Sequence, residues 1–181
     1  KNLCLELNSL GIPIGKKGEL QIPEWVKKDV KYNIAFLRGY FDTDGSIFCG
    51  KFNKSDKDHK KIRIDFISIS INLIKEVSEI LNYLGIDNLI VKTYNPKQKG
   101  HQPFGKIQIE KNGVLKFMSL IGSNNPKHIT KFWIWQKWGF CPPRTKLNMR
   151  MLILNGLIQP EAFYSNNYLE KINAEVAEPG Q

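Results

Sequence analysis

The sequence has little of the material that builds disulfide scaffolds or zinc sites. Its three cysteines, Cys4, Cys49 and Cys141, are far apart, and none belongs to a CxxC pair. Its three histidines stand in unrelated contexts, so no cysteine and histidine cluster has the spacing of metal ligands. This pattern predicts reduced thiols in an intracellular protein, in the cytoplasm, the nucleoid or an organelle matrix, and not in a secreted one.

Long apolar runs and acidic residues are also scarce. No stretch approaches the roughly 18 to 20 apolar residues of a membrane-spanning helix, and we find neither a signal peptide nor a basic amphipathic helix. The chain has 27 lysines and arginines against 17 acidic residues, which gives a formal net charge of +10. Such a surplus favours a polyanionic partner, and without membrane features nucleic acid is the better prediction.

The charge is unevenly distributed along a chain whose 181 residues suit one domain with extensions. The stretch 51–63 has six basic residues and two acidic ones, and it joins two strand-like segments. It is either a solvated loop or, as we favour, a hairpin that contacts DNA. The segment 161–181 has four glutamates and one lysine, so we expect 158–181 to be an acidic tail.

The most informative stretch is 36–47, FLRGYFDTDGSI, in which an apolar helical run meets a strand-like segment. The run ends in two carboxylates, Asp42 and Asp44, followed directly by Gly45. The partial negative charge of a helix C-terminus falls at the same place. Clustered carboxylates there repel one another unless a cation lies between them, and oxygen ligands suit hard ions such as Mg²⁺ or Ca²⁺.

One face of this helix carries only small side chains, because Ala35, Gly39 and Thr43 recur at every fourth position. Small residues let a second helix approach closely. If two such helices pack face to face, their acidic ends come together. The stripe therefore predicts a helix-packing interface.

Residues 37–45 resemble, over all nine positions, the LAGLIDADG signature of the homing endonucleases. Tyr40, Phe41 and Thr43 keep the apolar or compact character of the positions they occupy. Arg38 is the one substantial departure, and it lies off the small-residue stripe. The resemblance implies a metal-dependent endonuclease that cuts double-stranded DNA at a specific site. The alternative is a relative that has lost cleavage, either an RNA maturase or a DNA-binding regulator.

Hydrophobic patterning places further elements in the order of this family's repeat, αββαββα, over 30–157. The clearest strand is 61–68, where Ile62, Ile64 and Phe66 alternate with charged residues. The resemblance implies an α+β fold with a four-stranded antiparallel, saddle-shaped sheet and helices on one face. The predicted helices are 30–41, 71–84, 113–121, 126–137 and 147–157, and the predicted strands are 46–52, 61–68, 88–94 and 104–110.

The open face of such a sheet lies along the DNA major groove in this family, and an antiparallel surface can read base edges there. We therefore expect polar, basic and aromatic residues at outward strand positions to contact DNA. They are Ser46, Phe48, Lys51, Lys61, Arg63, Asp65, Lys92, Tyr94, Lys106 and Gln108.

The segment 1–29 resembles the junction between the halves of two-motif family members, because LNSLGI at 7–12 echoes LNYLGI at 81–86. No second Asp-x-Asp-Gly occurs in these 181 residues. The chain is thus either a homodimer-forming protein or the second half of a two-motif enzyme. Both readings predict that a second motif helix comes from outside this sequence.

The resemblance also implies the chemistry. Asp44 matches the family's metal ligand, and the carbonyl of Gly45 or of Thr43 adds an oxygen. Asp42 is mainly structural or reaches the metal through water. The expected cofactor is Mg²⁺, with Ca²⁺ or Mn²⁺ possible in its place. The basic residue near the scissile phosphate matches Lys146, with Arg144 as second choice. Some relatives carry a glutamine after the second strand. At the corresponding place, residues 68–70, this chain offers only hydroxyl groups as polar side chains.

Overall fold

The computed structural model describes residues 2–13, 18–51, 59–94 and 104–164. From the third helix onward the elements follow the predicted αββαββα order, with further helices after it. The α+β fold class is confirmed. The elements are α1 Asn2–Ser9, α2 Glu24–Lys27, α3 Val30–Asp44, β1 Ser46–Gly50, β2 Lys61–Ser68, α4 Ile71–Tyr83, β3 Leu89–Tyr94, β4 Phe104–Ile109, α5 Lys111–Leu120, α6 Pro126–Trp138, α7 Leu147–Leu154 and a 3₁₀ turn Pro160–Tyr164.

The four strands form one antiparallel sheet in the order β1-β2-β4-β3. The central pair β2 and β4 is in regular register, with Asp65 opposite Gln108 and Ile67 opposite Lys106. The pairing of β3 with β4 is interrupted between Val91 and Tyr94. The saddle curvature of this sheet stays a prediction.

The chain separates into two compact units. One comprises Lys1–Ser46 and Arg63–Asn124, and the other comprises Ile47–Ile62 and Asn125–Gln181. This division differs from the linear partition into 1–29, 30–157 and 158–181 that the sequence suggests, and that partition stays a prediction.

The first unit is built around three aromatic rings from α3, β2 and α5. Phe41, Phe66 and Phe117 are fully buried, and their ring centroids lie 5.0 to 5.9 Å apart. Aromatic pairs at this spacing add to the free energy gained by burying their surface. The cluster fixes the last turn of α3 against the sheet.

The segment before α3 is fastened to α4 by polar contacts. The carboxylate of Glu76 accepts from the Ile22 backbone N–H at 2.6 Å and from Lys27 Nζ at 2.6 Å. The Ser70 hydroxyl caps α4 and also binds the backbone of Leu20. These contacts hold 19–27 in the first unit.

In the second unit α6 packs on α7. Phe132 and Trp135 on α6 and Ile153 on α7 are buried, and Trp135 Nε1 donates to the Lys60 carbonyl at 2.7 Å. The three cysteines are free thiols.

Candidate functional site

The helix α3 carries the predicted motif and extends to Asp44, three residues beyond its predicted end. The Asp29 side chain caps its start by accepting from the Lys31 N–H at 2.8 Å. The inner face is buried through Leu37 and Phe41. Because the helix continues past Phe41, its final turn contains both motif carboxylates.

The small-residue face of α3 is exposed. Ala35, Gly39 and Thr43 all lie on the surface of the described part of the chain. A Cβ added at Gly39 would meet no atom within 4 Å, so nothing described here covers that position. Among the described residues, therefore, nothing packs on Gly39. The contact of this face with a second helix stays a prediction.

Asp42 and Asp44 have different surroundings. Asp42 is half-buried and accepts from the Ser123 hydroxyl at 2.5 Å and the Asn124 backbone N–H at 2.9 Å, both in the loop after α5. Arg38 reaches the same loop, where its Nε donates to the Ile121 carbonyl at 2.7 Å. Asp44 is exposed as the last helical residue. Asp42 thus anchors a loop, and Asp44 faces solvent.

Gly45 makes the tight exit from α3 into β1. Its N–H donates to the carbonyls of Tyr40 and Phe41, both at 3.1 Å, and its φ of −77° is an ordinary backbone value. A Cβ at Gly45 would lie 2.8 Å from the backbone of Phe41, so close packing is what requires glycine here. The chain therefore leaves the helix directly after the exposed carboxylate.

Tyr40 lies one helical turn before Asp44, and the sequence analysis assigned it no polar role. Its hydroxyl donates to the Ile67 carbonyl at 3.3 Å and hydrogen-bonds with Ser68, one of the hydroxyl residues noted after β2. Burial raises the pKa of the Tyr40 phenol to about 12, the hydrogen bond with Ser68 opposes this rise, and the charge of Asp44 adds to it. Tyr40 is therefore a neutral donor at physiological pH.

An apolar cavity of about 650 Å³ adjoins this group in the first unit. Asp44, Tyr40 and Ser68 line one part of it, and Ala35 and Phe36 extend the lining along α3. Trp25 and neighbouring residues before α3 also line it. The acidic helix end therefore borders a non-polar recess beside the small-residue face.

On the open face of the sheet, four of the predicted DNA-contacting residues form one polar network. Asp65 pairs with Arg63, with Nε to Oδ1 at 2.8 Å, and with Lys106, with Nζ to Oδ2 at 2.9 Å. With its amide oxygen and nitrogen assigned so that both find complementary partners, Gln108 places the oxygen 3.0 Å from Lys106 Nζ and 3.2 Å from Arg63 Nη1. The opposite amide orientation would place its NH₂ group against the ammonium.

The remaining predicted DNA contacts are distributed along the strands. Ser46 and Phe48 are exposed and flank the buried Ile47, as an outward-facing pair should. Lys51 is exposed and Lys61 is half-buried. Lys92 and Tyr94 lie in β3, but their side chains are outside the described residues, as is most of the basic stretch between β1 and β2.

The predicted basic residues lie just before α7 in the second unit. Lys146 is exposed at the N-cap of α7, and Arg144 is exposed with a left-handed φ of 57°. Few non-glycine residues adopt such a conformation. The catalytic roles of Lys146 and Arg144 stay predictions.

Sequence reasoning missed two cations inside the second unit. Arg150 is 4% exposed and donates to the Lys127 carbonyl at 3.3 Å, and Lys131 Nζ donates to the Ile47 carbonyl at 3.0 Å. Burial lowers the pKa of both side chains. The available signal was the position of each basic residue on the side of its helix that faces the core. Composition alone does not distinguish such a residue from a lysine or arginine on the surface.

The donor set at the end of α3 fits a hard cation only in part. The Asp44 carboxylate lies at the negative end of a helix and is followed by the Gly45 carbonyl, and both are oxygen donors. Within the described residues no group of three or more histidine, cysteine or acidic side chains is arranged to hold a metal. The described part of the chain therefore supplies two of the oxygen donors that a hard cation would need.

None of the helices in the described residues is both long enough and apolar enough to cross a bilayer.

A family model described as LAGLIDADG-like domain matches residues 31–122, slightly more than half of the chain. The matched region starts in α3 and ends just after α5, and so includes the motif helix and all four strands. A comparison with curated proteins found no match.

Proposed function

Because this chain belongs to the LAGLIDADG family, we propose that it is a site-specific homing endonuclease that hydrolyses double-stranded DNA with a divalent cation. The observation that carries the proposal is the end of α3. Asp44 is exposed there, next to an uncovered face of small residues. This is the arrangement that two motif helices need if they are to bring two carboxylates together.

The second motif helix comes from outside this chain, either from another copy or from a preceding half of a longer protein. The exposed stripe of Ala35, Gly39 and Thr43 is its contact surface. Close backbone approach then sets one Asp44-type carboxylate against another, where like charges favour binding of a cation. The partner is thus part of the active site.

The residues at the helix end have distinct roles. Asp44 and the Gly45 carbonyl would hold Mg²⁺, or Ca²⁺ or Mn²⁺ in its place. The chemistry supplied by such an ion would be relief of charge on the phosphate and a lower pKa of a water molecule. Asp42 keeps the loop 121–124 in position through its hydrogen bonds to Ser123 and Asn124.

The remaining steps fall to other parts of the chain. The neutral Tyr40 hydroxyl lies close to Asp44. Its proton is donated to the Ile67 carbonyl, and its oxygen can accept a hydrogen bond from a water molecule. Lys146, with Arg144 as second choice, stabilises charge on the scissile phosphate. The open face of the sheet carries the DNA, with Arg63 and Lys106 at its centre.

The test is cleavage of a plasmid library of random sites in Mg²⁺, with sequencing of the cut ends. We expect double-strand cuts at one long site, and Asp44→Asn should abolish cutting while DNA binding stays within about threefold of wild type. Asp87→Asn, in the exposed turn before β3, is the charge-matched control and should cut normally.

Two results would redirect the assignment. If the wild type binds a specific duplex and does not cut it with both motif helices supplied, the chain is a DNA-binding regulator. If it binds a structured RNA in preference to any duplex, it is a maturase. Full cleavage by Asp44→Asn would remove Asp44 from the mechanism.

A further inference from the structure

The polar network on β2 and β4 is centred on a carboxylate that lies almost out of contact with solvent. Asp65 is 7% exposed, although it stands on the open face of the sheet. Both of its oxygens are engaged, Oδ1 by Arg63 Nε and Oδ2 by Lys106 Nζ and by Arg63 Nη2 at 3.1 Å. The guanidinium therefore meets the carboxylate side-on through Nε and Nη2.

The network depends on pairing between distant parts of the chain. Asp65 lies directly opposite Gln108 in the β2–β4 register, and Lys106 is the diagonal neighbour on the same face. Gln108 supplies a second acceptor, so each cation is held between a carboxylate and an amide oxygen. Two long side chains are thereby fixed before any ligand arrives, which reduces the entropy lost on binding.

The same geometry argues against direct base reading by Asp65. An acidic side chain that reads DNA accepts from the N4 amino group of cytosine, which requires an accessible oxygen. Here the oxygens are taken up by two cations, and the carboxylate lies beneath them. The network as a whole carries one excess positive charge.

We propose that Arg63 and Lys106 form a preorganised reader of guanine in the DNA major groove, with Asp65 and Gln108 as positioning residues that hold them. This deepens the function proposed above and rests on it. Asp65 acts through its neighbours and does not itself contact a base.

Guanine is the base whose major-groove edge matches this pair. Arginine and lysine side chains only donate hydrogen bonds, and guanine offers two acceptors, O6 and N7, side by side. Adenine sets an amino donor beside its acceptor, cytosine offers a donor, and thymine offers a single acceptor next to a methyl group. The charged groups of Arg63 and Lys106 contact the same Asp65 carboxylate at 2.8 to 3.1 Å. Successive base pairs are about 3.4 Å apart, so the two cations can reach the same or adjacent pairs.

The experiment is selection of bound sequences from a library of random duplexes, with the full-length chain and without metal, so that cleavage plays no part. The wild type should enrich guanine at one position or two adjacent positions. Asp65→Asn should lower that guanine preference about tenfold, the loss expected for one misaligned base contact. Asp87→Asn makes the same change in charge away from the sheet face and should leave the preference intact.

A second variant keeps the test valid if Asp65→Asn folds poorly. Lys106→Met retains an unbranched stem and removes only the ammonium, and it should abolish guanine preference at one position. Unchanged guanine enrichment in both variants would overturn the inference, as would loss of a cytosine preference in Asp65→Asn. If the wild type enriches no sequence at all, the proposed function fails together with this inference. If it enriches a sequence that has no preferred guanine, only the guanine-reading role of Arg63 and Lys106 is refuted.

Discussion

Asp42 and Asp44 stand two residues apart at the same helix end, yet they have opposite physical roles. Asp42 satisfies two donors of the loop after α5, a hydroxyl and a backbone N–H. Asp44 is exposed, where a negative charge at a helix C-terminus is slightly unfavourable. Because Asp44 has an unfavourable local charge environment, it is a candidate for function rather than for stability.

Stability measurements should separate the two carboxylates. Asp42→Ala leaves the Ser123 hydroxyl and the Asn124 N–H without their acceptor, and we expect the free energy of unfolding to fall by about 1–3 kcal/mol. Asp44→Ala should change it by less than about 0.5 kcal/mol. Urea unfolding followed by circular dichroism measures both, and a larger loss for Asp44→Ala would reverse the assignment.

At the scale of single residues, the sequence predicts a functional role when that role depends on spacing along the chain. It misses a role that depends on which residues of two paired strands lie opposite each other. Asp42, Asp44 and Gly45 are recognisable because they follow one another in a short motif. The burial of Asp65 under Arg63 and Lys106 depends on which residue of β4 lies opposite it, and neither strand contains that information alone. The Tyr40 hydroxyl and Ser68 likewise meet only through the tertiary fold.

At the scale of the element, α3 is longer than its apolar pattern indicates. The periodicity ends at Phe41, but the helix continues to Asp44, and the Thr43 hydroxyl donates back to the Gly39 carbonyl at 3.0 Å. Polar residues at a helix end carry no hydrophobic signal, so the pattern stops before the hydrogen bonds do. The strands were predicted more closely, and the clearest cases are β4 and the first half of β2, where buried residues alternate with partly exposed ones.

A large side chain on the small-residue face of α3 should be tolerated when the chain is alone. The same side chain should prevent pairing with a second motif helix. The Cβ of Gly39→Leu would meet no atom within 4 Å, and leucine replaces a poor helix former, so we expect the free energy of unfolding to rise by up to about 1 kcal/mol. The added side chain would hold a second backbone away, and cleavage should fall at least a hundredfold.

The matched control is Glu79→Leu, which adds the same side chain at an exposed position of α4. Sedimentation with a cognate duplex should detect the paired assembly for this control and lose it for Gly39→Leu. Normal pairing and cleavage by Gly39→Leu would show that this face is not the interface.

At the scale of the whole molecule, the protein supplies one acidic motif, one basic sheet face and a net charge of +10. The family match covers the motif helix and the strands. In the function proposed above, a second motif helix from outside this chain completes the active site, so the sequence predicts one half of the site and leaves the identity of the other half open.

The central claim is that Asp44 holds the catalytic cation, and binding of Mn²⁺ to the assembled protein–DNA complex tests it most directly. Electron paramagnetic resonance of free Mn²⁺ during a titration gives the number and affinity of bound ions. The account predicts bound Mn²⁺ at the motif pair for the wild type and at least a tenfold weaker affinity for Asp44→Asn at equal DNA occupancy. Equal Mn²⁺ binding by the two proteins would contradict it.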